Sequence, residues 1–173
     1  MTAPGPSAQD ARPVGARRLA LPDPAATRAL GARLGALLRP GDCVALSGDL
    51  GAGKSELARA AIRARLGDPR LEVPSPTFTL VQTYEAADLE IWHVDLYRLE
   101  RPEDVLELGV EEALAEAALL VEWPDRLGPD LPAARLDLRL EAGPGDGRTA
   151  LIGDPAGAWA DRLETLAPGA DGP

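Results

Sequence analysis

CVALSGDLGAGKSELARAAIRARLG, residues 43–67, contains a short apolar run, a glycine-rich turn and a helix-patterned run in direct succession. The run CVALS is apolar on both faces, which is typical of a central strand in a sheet covered by helices. After the turn, Leu57, Ala61, Ile62 and Leu66 recur at helical spacing until a glycine ends the pattern. A buried strand followed by a glycine-rich turn and a helix predicts an α/β fold.

The flanking sequence predicts further helices and strands. A helix begins after Asp23, a good N-cap, with Pro24 at the first helical position. Alternating, β-branched and aromatic residues predict an antiparallel pair of strands at 79–85 and 89–97. Further strands are predicted at 117–123, 133–142 and 149–153, and further helices at 101–117, with a break at Gly109, and at 157–167. This order of elements indicates a mixed central β-sheet flanked by helices.

Length, composition and charge exclude several classes of protein. The chain has 173 residues, 45% of them hydrophobic, so a single domain with its own core is expected. We place that domain at residues 18–167, between a disordered N-terminal tail, residues 1–17, and a frayed C-terminal tail, residues 168–173. The net charge of −10 disfavours independent binding of nucleic acid. Because no apolar run reaches the roughly 20 residues of a membrane helix, we expect a cytoplasmic protein that does not act at membranes.

Several residue types occur once or not at all. The chain has one cysteine, Cys43, and one histidine, His93, which excludes zinc sites built from several such ligands. Cys43 lies in an apolar run and is interpreted as a small buried hydrophobic residue. Lys54 is the only lysine beside 17 arginines, so its position calls for a chemical reason.

Residues 48–55, GDLGAGKS, provide that reason, because they match the P-loop pattern G-x-x-x-x-G-K-[ST] between a predicted strand and a predicted helix. Glycines let backbone N–H groups converge on phosphate oxygens, and the helix begins there with its positive dipole end. The lysine ammonium reaches the β- and γ-phosphates, and the serine hydroxyl can ligate Mg²⁺. We therefore predict a P-loop NTPase-like three-layer fold that binds ATP or ADP and Mg²⁺. The residues predicted to bind the nucleotide are Asp49, Leu50, Gly51, Ala52, Gly53, Lys54 and Ser55.

A P-loop enzyme also needs a carboxylate at the end of a neighbouring strand, to hold Mg²⁺ or to orient water. The sequence offers two. Glu122 ends the apolar run ALLV, and Asp95 ends IWHV. His93 points to the same side as Asp95 in a regular strand, where a structural role and a catalytic role are both open. Trp123, directly after Glu122, belongs to a group of five aromatic residues within 46 positions and can face either the nucleotide or a partner.

Four motifs in a fixed order resemble the TsaE (YjeE) family of small bacterial ATPases. They are GDLGAGKS, SPTFTLVQTYE, HVDLYRL and LLVEWPDR, and the resemblance extends over roughly residues 20–142. It implies a compact P-loop α/β domain that acts in forming threonylcarbamoyladenosine (t6A) on tRNAs. The implied partners are TsaD, which transfers the threonylcarbamoyl group, and TsaB, its scaffold. ATP hydrolysis in this family is thought to reset that complex, and the acidic surface implies that tRNA is met only through the partners.

The resemblance also implies roles for individual residues. Lys54 and Ser55 would act on phosphate and Mg²⁺, with Glu122 as the acidic residue of the metal site. Thr77 matches a switch-like threonine that could sense the γ-phosphate, and Asp95 matches an acid needed for hydrolysis. Trp123 matches a residue beside the site and is added to the residues predicted to bind the nucleotide. The catalytic set is then Lys54, Thr77, Asp95 and Glu122. Ser55 stands where the family usually has threonine, a change that a hydroxyl ligand tolerates.

Three alternative functions are weighed against this hypothesis. A small-molecule kinase usually needs a lid with several arginines, and only Arg126 follows Glu122 closely. A signalling GTPase commonly reads guanine with an Asn-Lys-x-Asp element, which this chain cannot form because it has no asparagine. A module that binds nucleotide without turnover differs only in whether Asp95 and Glu122 affect the rate. Which of these two acids holds Mg²⁺ and which orients water stays open at this point.

Overall fold

The computed structural model describes residues 11–101 and 103–172. In this part of the chain, seven strands form one mixed sheet in the order β1-β7-β6-β2-β5-β4-β3. The strands are β1 (Arg17–Leu21), β2 (Cys43–Ser47), β3 (Val81–Glu85), β4 (Glu90–Asp95), β5 (Ala118–Glu122), β6 (Leu136–Ala142) and β7 (Arg148–Gly153). The helices are α1 (Pro24–Leu37), α2 (Lys54–Leu66), α3 (Asp104–Glu107), α4 (Val110–Ala113), α5 (Leu163–Leu166) and the 3-10 helix η1 (Pro124–Asp130). The predicted α/β fold with a mixed sheet between helices is confirmed.

The centre of the sheet is parallel and its edges are antiparallel. Strand β2 runs parallel to both β5 and β6, and β4 runs parallel to β5. The pairs β1–β7, β6–β7 and β3–β4 are antiparallel, and the last of these is the predicted antiparallel pair. Because the carboxyl ends of parallel strands meet at one edge, the acids that end β4 and β5 become neighbours, with Asp95 directly opposite Glu122. The register therefore assembles the two predicted carboxylates.

Side chains alternate between two hydrophobic layers, one on each face of the sheet. Val44 and Leu46 of β2 pack in the layer under α1 and α2. Cys43 belongs to the opposite layer, with Val105 and Leu127 from α3 and η1. Because hydrophobic layers cover both faces of the central strands, these strands are apolar on both faces.

Helix α1 starts as expected, with the Asp23 carboxylate accepting a hydrogen bond from the Ala26 amide at 2.8 Å. Helix α2 ends at Gly67, whose φ of 68° lies in the left-handed region. The predicted helix at 101–117 consists of two four-residue helices separated by Gly109, and the one at 157–167 retains only four residues as an α-helix. Gly109, with a left-handed φ of 72°, interrupts the first of these stretches.

The tails are shorter than predicted. Arg17 already belongs to β1, an edge strand that the sequence analysis did not identify, and Asp171 pairs with Arg18 through two backbone hydrogen bonds of 2.9 and 3.0 Å. The rest of the predicted N-terminal tail, residues 1–10, lies outside the described residues, as do Pro102 and Pro173. Strand β1 was missed because its arginine-rich sequence gains strand character only from pairing with β7.

Two further expectations concern Cys43 and membranes. Cys43 is 1% exposed, and burial raises the pKa of its thiol to about 12, so it is a protonated core residue at neutral pH.

No helix within residues 11–101 and 103–172 is long and apolar enough to cross a membrane.

Candidate nucleotide-binding site

The glycine-rich turn between β2 and α2 depends on backbone conformations that only glycine adopts without strain. Gly48, Gly51 and Gly53 have φ values of 132°, 79° and 104°. A side chain at Gly48 would also collide with the carbonyl oxygen of Leu140 in β6. The turn leads directly into the first turn of α2, whose backbone N–H groups have no partners within the helix. This arrangement is suited to binding phosphate.

Lys54 is enclosed by the turn that precedes it. Its side chain is 4% exposed, and its ammonium donates to the carbonyl oxygens of Gly48 and Asp49 at 2.5 and 2.9 Å. The Trp123 ring centroid lies 4.5 Å from Nζ, within cation–π range. Burial lowers the pKa of Lys54, and the carboxylate of Glu122 opposes that shift. The site therefore presents one compact cation, which explains why lysine survives here in an arginine-rich chain.

Glu122 connects the P-loop helix to the neighbouring strand. The Ser55 hydroxyl lies 3.0 Å from each carboxylate oxygen of Glu122 and donates to it. The same carboxylate accepts a hydrogen bond of 2.8 Å from Nε2 of His93, and both side chains are almost fully buried. His93 thus orients a buried acid, while its Nδ1 has no partner among the described residues.

The pair of Ser55 and Glu122 fits the ligand preferences of Mg²⁺. This ion prefers oxygen ligands and is usually held by one or two carboxylates, with phosphate oxygens and waters completing its shell. In the described part of the chain, no group of three or more His, Cys, Asp or Glu side chains could hold a metal. A serine hydroxyl beside one carboxylate suits a Mg²⁺ ion whose remaining ligands come from phosphate oxygens and waters.

Asp95, the register partner of Glu122 on the adjacent strand, holds the segment before β3. Its Oδ2 accepts a hydrogen bond of 2.9 Å from the Thr77 hydroxyl, and Oδ1 accepts one of 3.0 Å from the Tyr97 amide. The Ser75 hydroxyl lies 2.7 Å from that of Thr77 and extends the chain of hydrogen bonds. Asp95 is 3% exposed, so a buried carboxylate couples the Thr77 segment to the end of β4.

These groups surround one cleft of about 340 Å³, within the size range of small-molecule sites. It is lined by Leu50, Gly51, Gly53, Lys54, Ser55, Glu56, Arg59, Thr77, Asp95, Tyr97, Glu122 and Trp123. Two predicted residues do not line it, namely Asp49 and Ala52. They contribute backbone carbonyl oxygens that hold Lys54 and Arg148.

The sequence analysis missed several residues of this site. The Arg148 guanidinium of β7 donates to the carbonyl oxygens of Ala52, at 2.9 Å, and Gly51, at 3.3 Å. These hydrogen bonds attach the glycine-rich loop to β7. No sequence pattern marks this contact, because Arg148 is 96 positions from Ala52. Ser75 and Tyr97 were within the quoted motifs but were assigned no role.

A model of the family described as "Threonylcarbamoyl adenosine biosynthesis protein TsaE" matches residues 21–150. The chain belongs to the TsaE family. Proteins named "tRNA threonylcarbamoyladenosine biosynthesis protein TsaE" are similar to it. The one from Rickettsia conorii is 43% identical over 67% of this chain and 66% of its own length, and the one from Bacillus subtilis is 35% identical over 73% and 78%. This TsaE-family chain thus spans about two thirds of the length of the Rickettsia relative.

A solved structure supports the same family and the P-loop NTPase-like fold. The crystal structure of Bacillus subtilis YdiB superposes with a TM-score of 0.70 and 27% sequence identity, and the match covers 87% of this chain and 95% of that one. The family model covers residues 21–150, which include every residue that lines the cleft.

Proposed function

We propose that this chain is a Mg²⁺-dependent ATPase needed for the formation of t6A in tRNAs. The observation that carries the proposal is the meeting of Lys54, the Ser55–Glu122 pair and the Thr77–Asp95 pair around one P-loop cleft. The names of its TsaE relatives supply the biosynthetic role. ATP is favoured over GTP because the chain has no asparagine for a guanine-reading Asn-Lys-x-Asp element.

Each residue has a proposed task in hydrolysis. Loop N–H groups and Lys54 bind the phosphates and offset the charge that develops on them. Ser55 and Glu122 would hold Mg²⁺, which would supply positive charge to stabilise the negative charge of the phosphates. Asp95 orients the attacking water near the γ-phosphate, and Thr77, hydrogen-bonded to Asp95, changes its contacts when that phosphate is present.

We further propose that the ATPase works in the cytoplasm with TsaB and TsaD, and that hydrolysis resets their complex. tRNA would then be contacted only through the partners, since a net charge of −10 repels a phosphate backbone. Tight tRNA binding by the isolated protein at physiological salt, measured by filter binding, would contradict this part of the proposal.

The decisive experiment measures the release of phosphate from ATP by the purified protein, alone and with the cognate TsaB–TsaD complex. We expect slow hydrolysis alone and faster hydrolysis with the complex, and Lys54→Ala should abolish both. Calorimetric titration should also show that Lys54→Ala weakens ATP binding, because its ammonium is the only full positive charge inside the P-loop.

Two results would overturn the proposal. If Lys54→Ala bound ATP with unchanged affinity, the P-loop would not be the nucleotide-binding site. Phosphate transfer that occurs only after a small-molecule acceptor is added would instead indicate a kinase.

A further inference from the structure

A second cavity lies away from the nucleotide cleft, between α3, α4 and the segment that contains η1. Its volume is about 650 Å³, roughly twice that of the cleft. Most of its lining is apolar, from Val105, Leu106, Gly109, Val110, Leu114, Leu127, Pro129, Leu131, Pro132 and Ala133. We call it the α3–α4 groove. Leu106, which also lines the groove, is 67% exposed and extends its apolar surface to the outside of the molecule.

The charged side chains that line this groove are all acidic. Its charged lining residues are Glu111, Glu112 and Asp130, and none of the lining residues is a lysine or arginine. Residues 103–116, which include α3 and α4, contain six Asp or Glu residues and no Lys or Arg. An apolar groove with an acidic rim complements a ligand that combines apolar side chains with positive charge.

We propose that the α3–α4 groove docks a segment of a partner protein in which apolar side chains are flanked by lysines or arginines. A second copy of this chain fits poorly, because two molecules of net charge −10 would meet acid to acid. The first ten residues of the chain fit poorly too, since they contain no lysine or arginine. The polar side chains of the lining are confined to the three acids, so the groove lacks the mixed donors and acceptors that orient a small neutral ligand.

The groove is connected to the nucleotide cleft through one short segment. Helix η1 begins immediately after Trp123, which lies over Lys54, and its Leu127 lines the groove. Trp123 has a left-handed φ of 58°, so the chain turns sharply between the two sites. A partner seated against Leu127 therefore contacts the segment that follows the metal-site acid Glu122. This link would let docking influence hydrolysis.

The proposal deepens the proposed function and rests on it, because the partner used to test it is the cognate TsaB–TsaD complex. Binding of the full chain to this complex is measured by biolayer interferometry at low and high salt. We expect the double variant Glu111→Arg/Glu112→Arg to lose affinity by about tenfold or more, because it places positive charge against positive charge. Leu106→Ser should lose affinity as well, through the lost apolar contact.

A matched control carries the same change in net charge elsewhere. Glu72→Arg/Glu85→Arg alters two exposed acids that do not line the groove and should bind within about twofold of the unchanged chain at high salt, where long-range charge effects are screened. All variants should retain the basal ATP hydrolysis of the isolated chain. Hydrogen exchange should slow at residues 105–114 and 127–133 when the complex binds.

The outcomes separate the two proposals. If the unchanged chain does not bind the TsaB–TsaD complex, the proposal that these proteins are its partners is wrong, and so is the proposal that one of them occupies the groove. If the unchanged chain binds but the groove variants bind equally well, or exchange slows elsewhere and not at the groove, the docking proposal alone is overturned.

Discussion

At the scale of single residues, the site depends on acids that are buried but not equivalent. Glu122 contacts the Ser55 hydroxyl and His93, whereas Asp95 contacts Thr77 and the backbone amide of Tyr97. Only Glu122 shares its carboxylate with a P-loop side chain. This difference favours Glu122 as the metal-site residue and Asp95 as the residue that orients water.

The two acids should therefore respond differently to removal of charge. We expect Glu122→Gln to raise the Mg²⁺ concentration needed for half-maximal hydrolysis by about tenfold or more, because one of two protein ligands is weakened. Asp95→Asn should leave that Mg²⁺ requirement near normal and lower the rate by about 10²-fold or more. Hydrolysis rates over a Mg²⁺ titration distinguish the two effects. A normal Mg²⁺ requirement in Glu122→Gln together with an altered one in Asp95→Asn would reverse the roles.

At the scale of elements, the position of the P-loop depends on how helix α2 and strand β7 support it. Helices α1 and α2 approach so closely that Gly31 and Gly35 of α1 lie against the backbone of α2. On the opposite side, Arg148 of β7 donates to loop carbonyl oxygens. Both supports act on backbone groups, so they set the shape of the phosphate site without touching the nucleotide.

The helix contact predicts a loss of stability in Gly35→Ala. Alanine favours a helix by about 1 kcal/mol over glycine. Here, however, its methyl group would collide with the carbonyl oxygen of Ala61, and overpacking of this kind costs about 1–3 kcal/mol. We expect a lower melting temperature, measured by calorimetry. Ala36→Ser, on the exposed side of the same helix, is the control and should change little. A higher melting temperature for Gly35→Ala would contradict this prediction, because it would show that α1 and α2 can move apart to accept the methyl group without loss of stability.

The strand contact predicts weaker nucleotide binding in Arg148→Ala. Arg148→Ala removes charge-assisted hydrogen bonds to the carbonyl oxygens of Gly51 and Ala52, and such a bond contributes about 1.5–3 kcal/mol. Because these bonds act on the shape of the loop and not on the nucleotide directly, we expect the Kd for ATP to rise by about tenfold. Calorimetric titration measures the change. Arg12→Ala, which removes only an exposed ion pair with Glu141, should bind ATP normally. Equal affinities for both variants would show that the loop keeps its shape without Arg148.

At the scale of the whole molecule, a buried ion pair joins the C-terminal segment to the start of the central strand. Arg162 is 4% exposed and donates to both carboxylate oxygens of Asp42, at 2.6 and 3.0 Å, and to the carbonyl oxygen of Leu37 at 2.8 Å. Its guanidinium also stacks over Trp159 at 3.7 Å. One side chain thus connects the end of α1, the start of β2 and the segment before α5.

Removing this connection should destabilise the whole fold. Arg162→Ala leaves the Asp42 carboxylate buried without its charge partner, which typically costs about 3–5 kcal/mol. Urea unfolding measures the loss. The surface pair of Arg28 and Glu56 supplies the control, because Arg28→Ala should cost no more than about 1 kcal/mol. Similar losses for the two variants would show that Arg162 acts no differently from a surface residue.

Much of the fold and part of the site could be read from local sequence. The P-loop, its flanking strand and helix, the Asp23 cap and the antiparallel β3–β4 pair all follow from patterns within a few residues of one another. Such patterns are local because hydrogen bonding and side-chain periodicity within an element act over short distances along the chain. The acids Asp95 and Glu122 were found for the same reason, as charges that end apolar strands.

The tertiary structure alone decided which distant residues meet. Pairing with β7 made the arginine-rich residues 17–21 a strand, and it brought Arg148 to a loop 96 positions away. The contact of Arg162 with Asp42 spans 120 positions, and the α3–α4 groove is formed by two segments separated by a buried strand. Local sequence was enough to predict most of the strands and helices and the position of the P-loop between β2 and α2. These long-range contacts depend on sheet order and packing, which are properties of the assembled chain and not of any one segment.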